Sequence, residues 1–270
     1  MFWNADGKDD GHGKKLFVEE AGQEHEKTII FLHATGSSSQ MWCHHIAVLK
    51  KDFHCIAVDL PGHGKSVKIE WTSFDEVADM IFEIIQAKVH GKPHLVGLSL
   101  GASLALKLLE RQVDLLDRVI IDGSGHQPIK GYRKIIVTVH LMSFLKNTKL
   151  VENLMSKMMQ ADGVTSQEVQ SFIADMQRAS RKSFRLAMSQ ANLLRVNLDI
   201  DNPVFFVSGG KESPSIHASH QLLARINSQS ECAYYPEKGH AWLFSDVDTH
   251  IQLAKYFFQG YYFPEKLKYF

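Results

Sequence analysis

No stretch of about 18 consecutive apolar residues, the least a membrane-spanning helix needs, occurs anywhere in the chain,. Nor do Met1 to Asp10 carry the basic patch and apolar run of a secretory leader, so a cytoplasmic protein is expected,. Net charge is missing too. The 30 Lys and Arg balance the 30 Asp and Glu, which leaves no global field for nucleic acid or an anionic membrane, and neither is expected as a partner. Cysteine is scarce: Cys43, Cys55 and Cys232 are odd in number, far apart and set among apolar residues. They read as reduced, buried thiols, against a disulfide framework or a catalytic cysteine. Repeats and low-complexity linkers are absent as well. What is present is 270 residues, 44% of them apolar. That suffices for one large core, or one core with a smaller cap, and excludes a disordered or fibrous chain.

Apolar runs of four to six residues alternate with helical patterns, which implies α/β architecture with a doubly wound, mostly parallel sheet. Leu16–Val18 is a weak first strand. Thr28–Leu32, Cys55–Val58 and His94–Val96 are stronger, because β-branched runs without polar alternation suit strands buried on both faces. Val119–Ile121, Val204–Val207 and Ala233–Tyr235 follow. Helices are expected near 38–50, 73–90, 100–111, 215–227 and 246–259, with apolar residues three or four apart. From 126 to 195 no strand-like run occurs, only amphipathic helical patterns. Residues 1–125 and 196–270 therefore read as one core domain and 126–195 as a helical lid packed on it.

The sharpest local signal is Gly97-Leu98-Ser99-Leu100-Gly101, entered from a strand and left by a helix. A tight strand-to-helix turn of this kind strains the serine backbone and exposes its hydroxyl, and flanking glycines avoid collisions with neighbouring elements. Ser99 is the candidate nucleophile; the bland alternative is a helix N-cap. A serine needs a base and donors for the developing oxyanion. His240, in Glu237-Lys238-Gly239-His240-Ala241-Trp242, follows the last expected strand and precedes the last helix, and so lies at the carboxyl edge where catalytic groups gather in open α/β sheets. Thr35, in the small-residue loop His33-Ala34-Thr35-Gly36-Ser37-Ser38, and Leu100 are the candidate oxyanion-hole amides. The acid that orients the histidine is Glu212, in the loop after Val204–Val207, with Asp122 as competitor. His33 and His63, beside glycine turns, read as structural hydrogen-bonders. His44-His45 and His217 with His220 lack a convincing carboxylate pattern, so no metal site is expected.

These residues resemble the α/β-hydrolase superfamily from about Leu16 to Phe258. His33-Ala34-Thr35-Gly36 is similar to its His-Gly-x-Gly oxyanion loop, Asp59-Leu60-Pro61-Gly62-His63-Gly64-Lys65-Ser66 to its Asp-x-Pro-Gly-x-Gly-x-Ser turn, Gly97–Gly101 to its nucleophile elbow and Gly239-His240 to its histidine loop. Two departures stand out: Ala34 replaces a glycine, and Glu212 an aspartate. The resemblance implies the α/β-hydrolase fold with a helical cap inserted after the sixth strand. It also implies a serine hydrolase of an ester or thioester of a small carboxylic acid, acting through an acyl-enzyme without a cofactor. Carbon–carbon bond hydrolysis or lysis on the same scaffold, and a non-catalytic ligand-binding relative, are the alternatives. A serine at the elbow argues against dehalogenase and epoxide-hydrolase chemistry. The lid holds eleven basic residues, Lys130 and Arg133 among them, against four acidic ones, a net +7. Arg178, Arg181, Lys182 and Arg185 recur at helical spacing, which points to an anionic small-molecule substrate or else a solvated face. Met142, Phe144, Leu145, Leu154, Met155, Met158, Met159, Phe172, Phe184 and Met188 supply an apolar pocket wall or simply lid core.

Overall fold

The computed structural model describes residues 15–111, 114–128, 131–199 and 201–270. The ten residues read for a leader and Lys130 of the basic tally lie outside them. The chain runs β1 (Val18–Ala21), β2 (Thr28–Leu32), α1 (Cys43–Leu49), β3 (His54–Val58), α2 (Phe74–Lys88), β4 (His94–Leu98), α3 (Leu100–Arg111) and β5 (Val119–Asp122). Four helices follow: α4 (Tyr132–Leu145), α5 (Lys149–Ala161), α6 (Ser166–Arg178) and α7 (Arg181–Leu193). It closes with β6 (Val204–Gly209), α8 (Pro214–Leu223), β7 (Glu231–Tyr235), α9 (Trp242–Ser245), α10 (Val247–Gln259) and β8 (Lys268–Tyr269).

One sheet of order β1-β3-β2-β4-β5-β6-β7-β8 results, parallel throughout except at its two antiparallel edges, β1 and β8. Strand β2 shows why both faces must be covered. Its Ile30 and Leu32 enter one apolar cluster with α2 and α3, while Ile29 and Phe31 enter the other with α1 and α10. Each such side chain, fully buried, contributes about 1.5–3 kcal/mol. Helix α2 begins where Ser73 accepts the Glu76 N–H at 3.2 Å. It then buries Phe74, Val77, Ala78, Ile81 and Ile85, an apolar stripe at helical spacing,. No helix among the described residues is long and apolar enough to cross a membrane.

Several expectations need correction. The first strand lies at Val18–Ala21, displaced from Leu16–Val18, because its register pairs Val18 with Val58 and Ala21 with Cys55. Five strands of the described residues precede the four-helix segment, where six are expected. Cys43, on the outer surface of α1, is exposed and only Cys55 is fully buried. Strand β8 is two residues long and carries no sequence signal; it exists by pairing with β7.

The basic stripe is split. Ala179 and Ser180 leave helical geometry, and Ser180 starts α7 as its N-cap while its N–H donates to Gly62 O at 2.7 Å. Arg178 thus ends one helix, bonded to Asp175 at 2.6 Å, and Lys182, on the next, pairs with Glu70 at 3.0 Å. Of the apolar residues expected to be lid core or pocket wall, Phe144, Leu154 and Met158 are more than half exposed. Met159 and Phe184 are buried, and Met142, Leu145, Met155, Phe172 and Met188 pack partly buried around them and their neighbours.

Candidate active site

Ser99 sits between β4 and α3 with φ of 54°, one of two non-glycine residues with positive φ among those described. The turn is held open by absent side chains. A Cβ on Gly97 would lie 2.5 Å from Gly101 O, and one on Gly101 only 2.1 Å from Leu32 O. Neither contact is possible, so β4, α3 and β2 approach this closely only with glycine at both places. Backbone bonds fix the turn: Ser99 N–H donates to Asp122 O at 2.9 Å, and Gly101 N–H to His33 O at 3.1 Å.

That second bond brings the loop after β2 against the start of α3. His33 is fully buried there. It accepts the Leu60 N–H on Nε2 at 2.9 Å, so Nδ1 carries the proton and donates to Ala34 O at 2.8 Å. Burial holds the ring neutral, with its pKa lowered to about 4. His63 likewise directs Nδ1 to Pro61 O at 3.0 Å. The replacement of glycine by Ala34 proves undemanding, because the left-handed position of the loop is Gly36, at φ +80°. Among the described residues, neither the Thr35 N–H nor the Leu100 N–H donates to a protein acceptor.

His240 and Glu212 meet from two further loops. Glu212 follows β6 and is buried; His240 follows β7 and is half exposed; Nδ1 stands 3.1 Å from Oε1. The loops touch backbone to backbone, since a Cβ on Gly209 would lie 2.2 Å from Gly239 O. Lys211 N–H donates to Lys238 O at 2.8 Å, and Gly210 N–H to Tyr235 O at 2.8 Å. Glu237, the other non-glycine residue with positive φ among those described, at 58°, lies in the histidine loop itself.

Electrostatics follow from the pairing. The Glu212 carboxylate is the largest influence on His240 and, against the cost of burial, raises its pKa to about 9. Solvent at the half-exposed ring screens part of that attraction. For Glu212, burial opposes the charge, but His240 outweighs it and the pKa falls below the usual carboxylate value. Asp122, the competitor for the acid role, is engaged elsewhere. Wholly buried, it accepts the Trp242 Nε1–H at 3.1 Å, and burial followed by the Glu212 charge pushes its pKa well up.

Gly123 connects the pieces. It directly follows Asp122, to which Ser99 is bonded, and at φ +65° a Cβ there would lie 2.8 Å from His240 Cε1 and 3.0 Å from Glu212 Oε1. Asp122 and Gly123 thus carry the Ser99 turn on one side and the His240–Glu212 pair on the other, at the carboxyl edge of the sheet. The expected effect of Gly123→Ala is displacement of the imidazole from Glu212, read as a shift of the His240 Nδ1–H proton resonance. An unmoved resonance would show that the loop absorbs the methyl group.

The helical segment contributes what the sequence does not reveal. Helices α6 and α7 lie over the loop after β2, where Ser38 Oγ–H donates to Asp175 Oδ2 at 2.5 Å and a Cβ on Gly36 would meet Phe184 at 3.1 Å. Asp162, just past α5, accepts from the backbone on both sides of His240. Its only sequence cue is the neighbouring Gly163, a helix-ending signal that says nothing about what the carboxylate touches.

A profile of the alpha/beta hydrolase family matches residues 29–249. The 3-oxoadipate enol-lactonase 1 of Acinetobacter baylyi is 33% identical over 96 residues, 36% of each chain. A putative 2-succinyl-6-hydroxy-2,4-cyclohexadiene-1-carboxylate synthase of Haemophilus influenzae is 38% identical over 101 residues, 36% of this chain and 40% of its own. The chain thus aligns with well under half the length of either relative. Among solved structures, the enol-lactonase of Burkholderia xenovorans superposes with a TM-score of 0.76 at 15% identity, covering 90% of this chain and 96% of that one. This last likeness is one of fold.

Proposed function

The chain belongs to the alpha/beta hydrolase family, and on that premise we propose that it is a serine hydrolase cleaving an ester or thioester of a small carboxylic acid. Ser99 attacks the carbonyl carbon while His240 Nε2 takes the hydroxyl proton, and Glu212 holds the resulting imidazolium. The proton then passes to the leaving group. Water, deprotonated by the same imidazole, releases the acid and restores Ser99. The Thr35 and Leu100 amides stabilise the oxyanion of both tetrahedral states, about 2.7–4 kcal/mol per donor. No cofactor enters. The helices between β5 and β6 serve as a lid over the acyl or leaving group.

The observation that carries this reading is the His240–Glu212 pair, 3.1 Å apart, on loops adjoining the strained Ser99 turn. A buried carboxylate beside a half-exposed imidazole, next to a serine with positive φ, has no evident structural purpose. Similarity to the Haemophilus synthase favours a second reading, carbon–carbon bond chemistry with the same residues. Small esters separate the two, being turned over only under the first.

The test is intact mass after exposure to a fluorophosphonate. Wild type is expected to gain one adduct and His240→Ala none, because the reagent captures only a serine activated by a base. A correctly folded wild type that stays unlabelled would overturn the hydrolase reading in favour of a ligand-binding protein.

A further inference from the structure

We propose that Asp162, in the turn between α5 and α6, is a positioning residue for His240, its carboxylate clasping the two backbone N–H groups that flank the histidine and tying the helical segment to the histidine loop. The inference rests on reading His240 as the base. Asp162 Oδ1 accepts the Gly239 N–H at 3.0 Å, Oδ2 accepts the Ala241 N–H at 3.4 Å, and its carbonyl accepts Lys238 Nζ at 2.7 Å. Three anchor points of the histidine loop, on either side of His240 itself, thus end on one residue 77 positions away in sequence from Gly239.

The clasp is rigid on both sides. Asp162 ends α5 in a helix-terminating turn in which Gly163 N–H donates to Gln160 O at 2.9 Å and Val164 N–H to Met159 O at 3.1 Å, with Gly163 at φ +86°. This Schellman pattern fixes the backbone from which the carboxylate projects, and Val164 packs on Met159 as the pattern requires,. On the other side Ala241 and Phe244 pack against Met159, Val164, Val169 and Ile173. Gly239 is shaped for the contact, since a Cβ there would lie 2.6 Å from Asp162 Oδ2.

The consequence is coupling. Any movement of the α5–α6 turn away from the core must break both amide bonds beside His240 and release the imidazole from its fixed approach to Ser99. Misplacement of a catalytic group by about 1 Å costs on the order of 100-fold in rate, so the enzyme is fully competent only with the turn docked.

Asp162→Ala is expected to lower kcat for an ester substrate by about 10- to 100-fold with KM little changed. Asp162→Asn keeps the size and one acceptor oxygen; it falls between, and it serves if the alanine variant folds poorly. The carboxylates facing His240 are Glu212, Asp122 and Asp162, so losing one moves the acid limb of the kcat/KM profile to lower pH in both variants. The His240 imidazole resonances shift with it. Unchanged limb and resonances, with only a lower Tm or a higher KM, would overturn the clasp and leave Asp162 a mere docking contact. If wild type resists the fluorophosphonate, the reading of His240 as base fails separately, and the imidazole resonances alone decide: moved in Asp162→Asn, the clasp stands; unmoved, it falls.

Discussion

Ser99→Ala is expected to abolish fluorophosphonate capture and to lower kcat by about 10⁴- to 10⁶-fold, the range found when a nucleophile is removed from an otherwise intact triad. The residue left behind cannot form the acyl-enzyme, yet the amides proposed to hold the carbonyl oxygen, those of Thr35 and Leu100, are untouched, so binding is expected to persist and KM to change little. Activity within 10-fold of wild type would remove Ser99 from the mechanism. Ser99→Gly adds a stability readout. At φ of 54° a side chain costs about 1–2 kcal/mol of backbone strain, which alanine retains and glycine sheds. Part of that gain is offset by glycine's extra freedom in the unfolded chain, about 0.5–1 kcal/mol. A net gain near 1 kcal/mol places the Tm of Ser99→Gly about 2–4 °C above that of Ser99→Ala. Equal melting temperatures would mean that the turn relaxes without its serine.

That strain is legible in the sequence, and the reason is local. A strand, two glycines and a helix pattern within a dozen residues constrain one turn, so Ser99 stands out from its neighbours alone. Strand β2 is legible for a similar reason: Thr28–Leu32 has no polar alternation, and only a strand covered on both faces tolerates that. The departure at Ala34 is harder to weigh, because the sequence does not say which residue of a loop takes the left-handed conformation; Gly36 does. The break between α6 and α7 leaves no trace, since Ser180 suits a helix interior tolerably, whereas in the fold its N–H goes to Gly62 O and its hydroxyl caps α7. Asp162 lies beyond reach altogether. Its role depends on where a helical hairpin docks, a matter of packing between segments far apart in the chain.

The choice between two acids tests the electrostatics most sharply. Glu212→Gln is expected to lower kcat by about 10³- to 10⁴-fold, comparable with loss of the triad acid in other serine hydrolases, whereas Asp122→Asn leaves kcat within about 10-fold, the size of one altered hydrogen bond. The difference follows from what each carboxylate touches. The Glu212 pKa is pulled down by His240 despite burial, and in the proposed mechanism its charge holds the imidazolium that forms as Ser99 attacks. Asp122, deeply buried with its pKa pushed well up, takes the Trp242 indole N–H on Oδ1. Asparagine reproduces that acceptor at the same size. The pH profiles must then part. A base has to be neutral to act, so activity rises with pH through the His240 pKa, which the Glu212 charge raises toward 9. The wild-type acid limb is accordingly expected above the ordinary imidazole value of 6.5. Removing the Glu212 charge takes away the largest cause and moves the limb down, even as the maximal rate collapses. Asp122→Asn moves the limb less, because its charge raises the His240 pKa less than that of Glu212 does. A limb that stays in Glu212→Gln and drops in Asp122→Asn would exchange the roles of the two carboxylates.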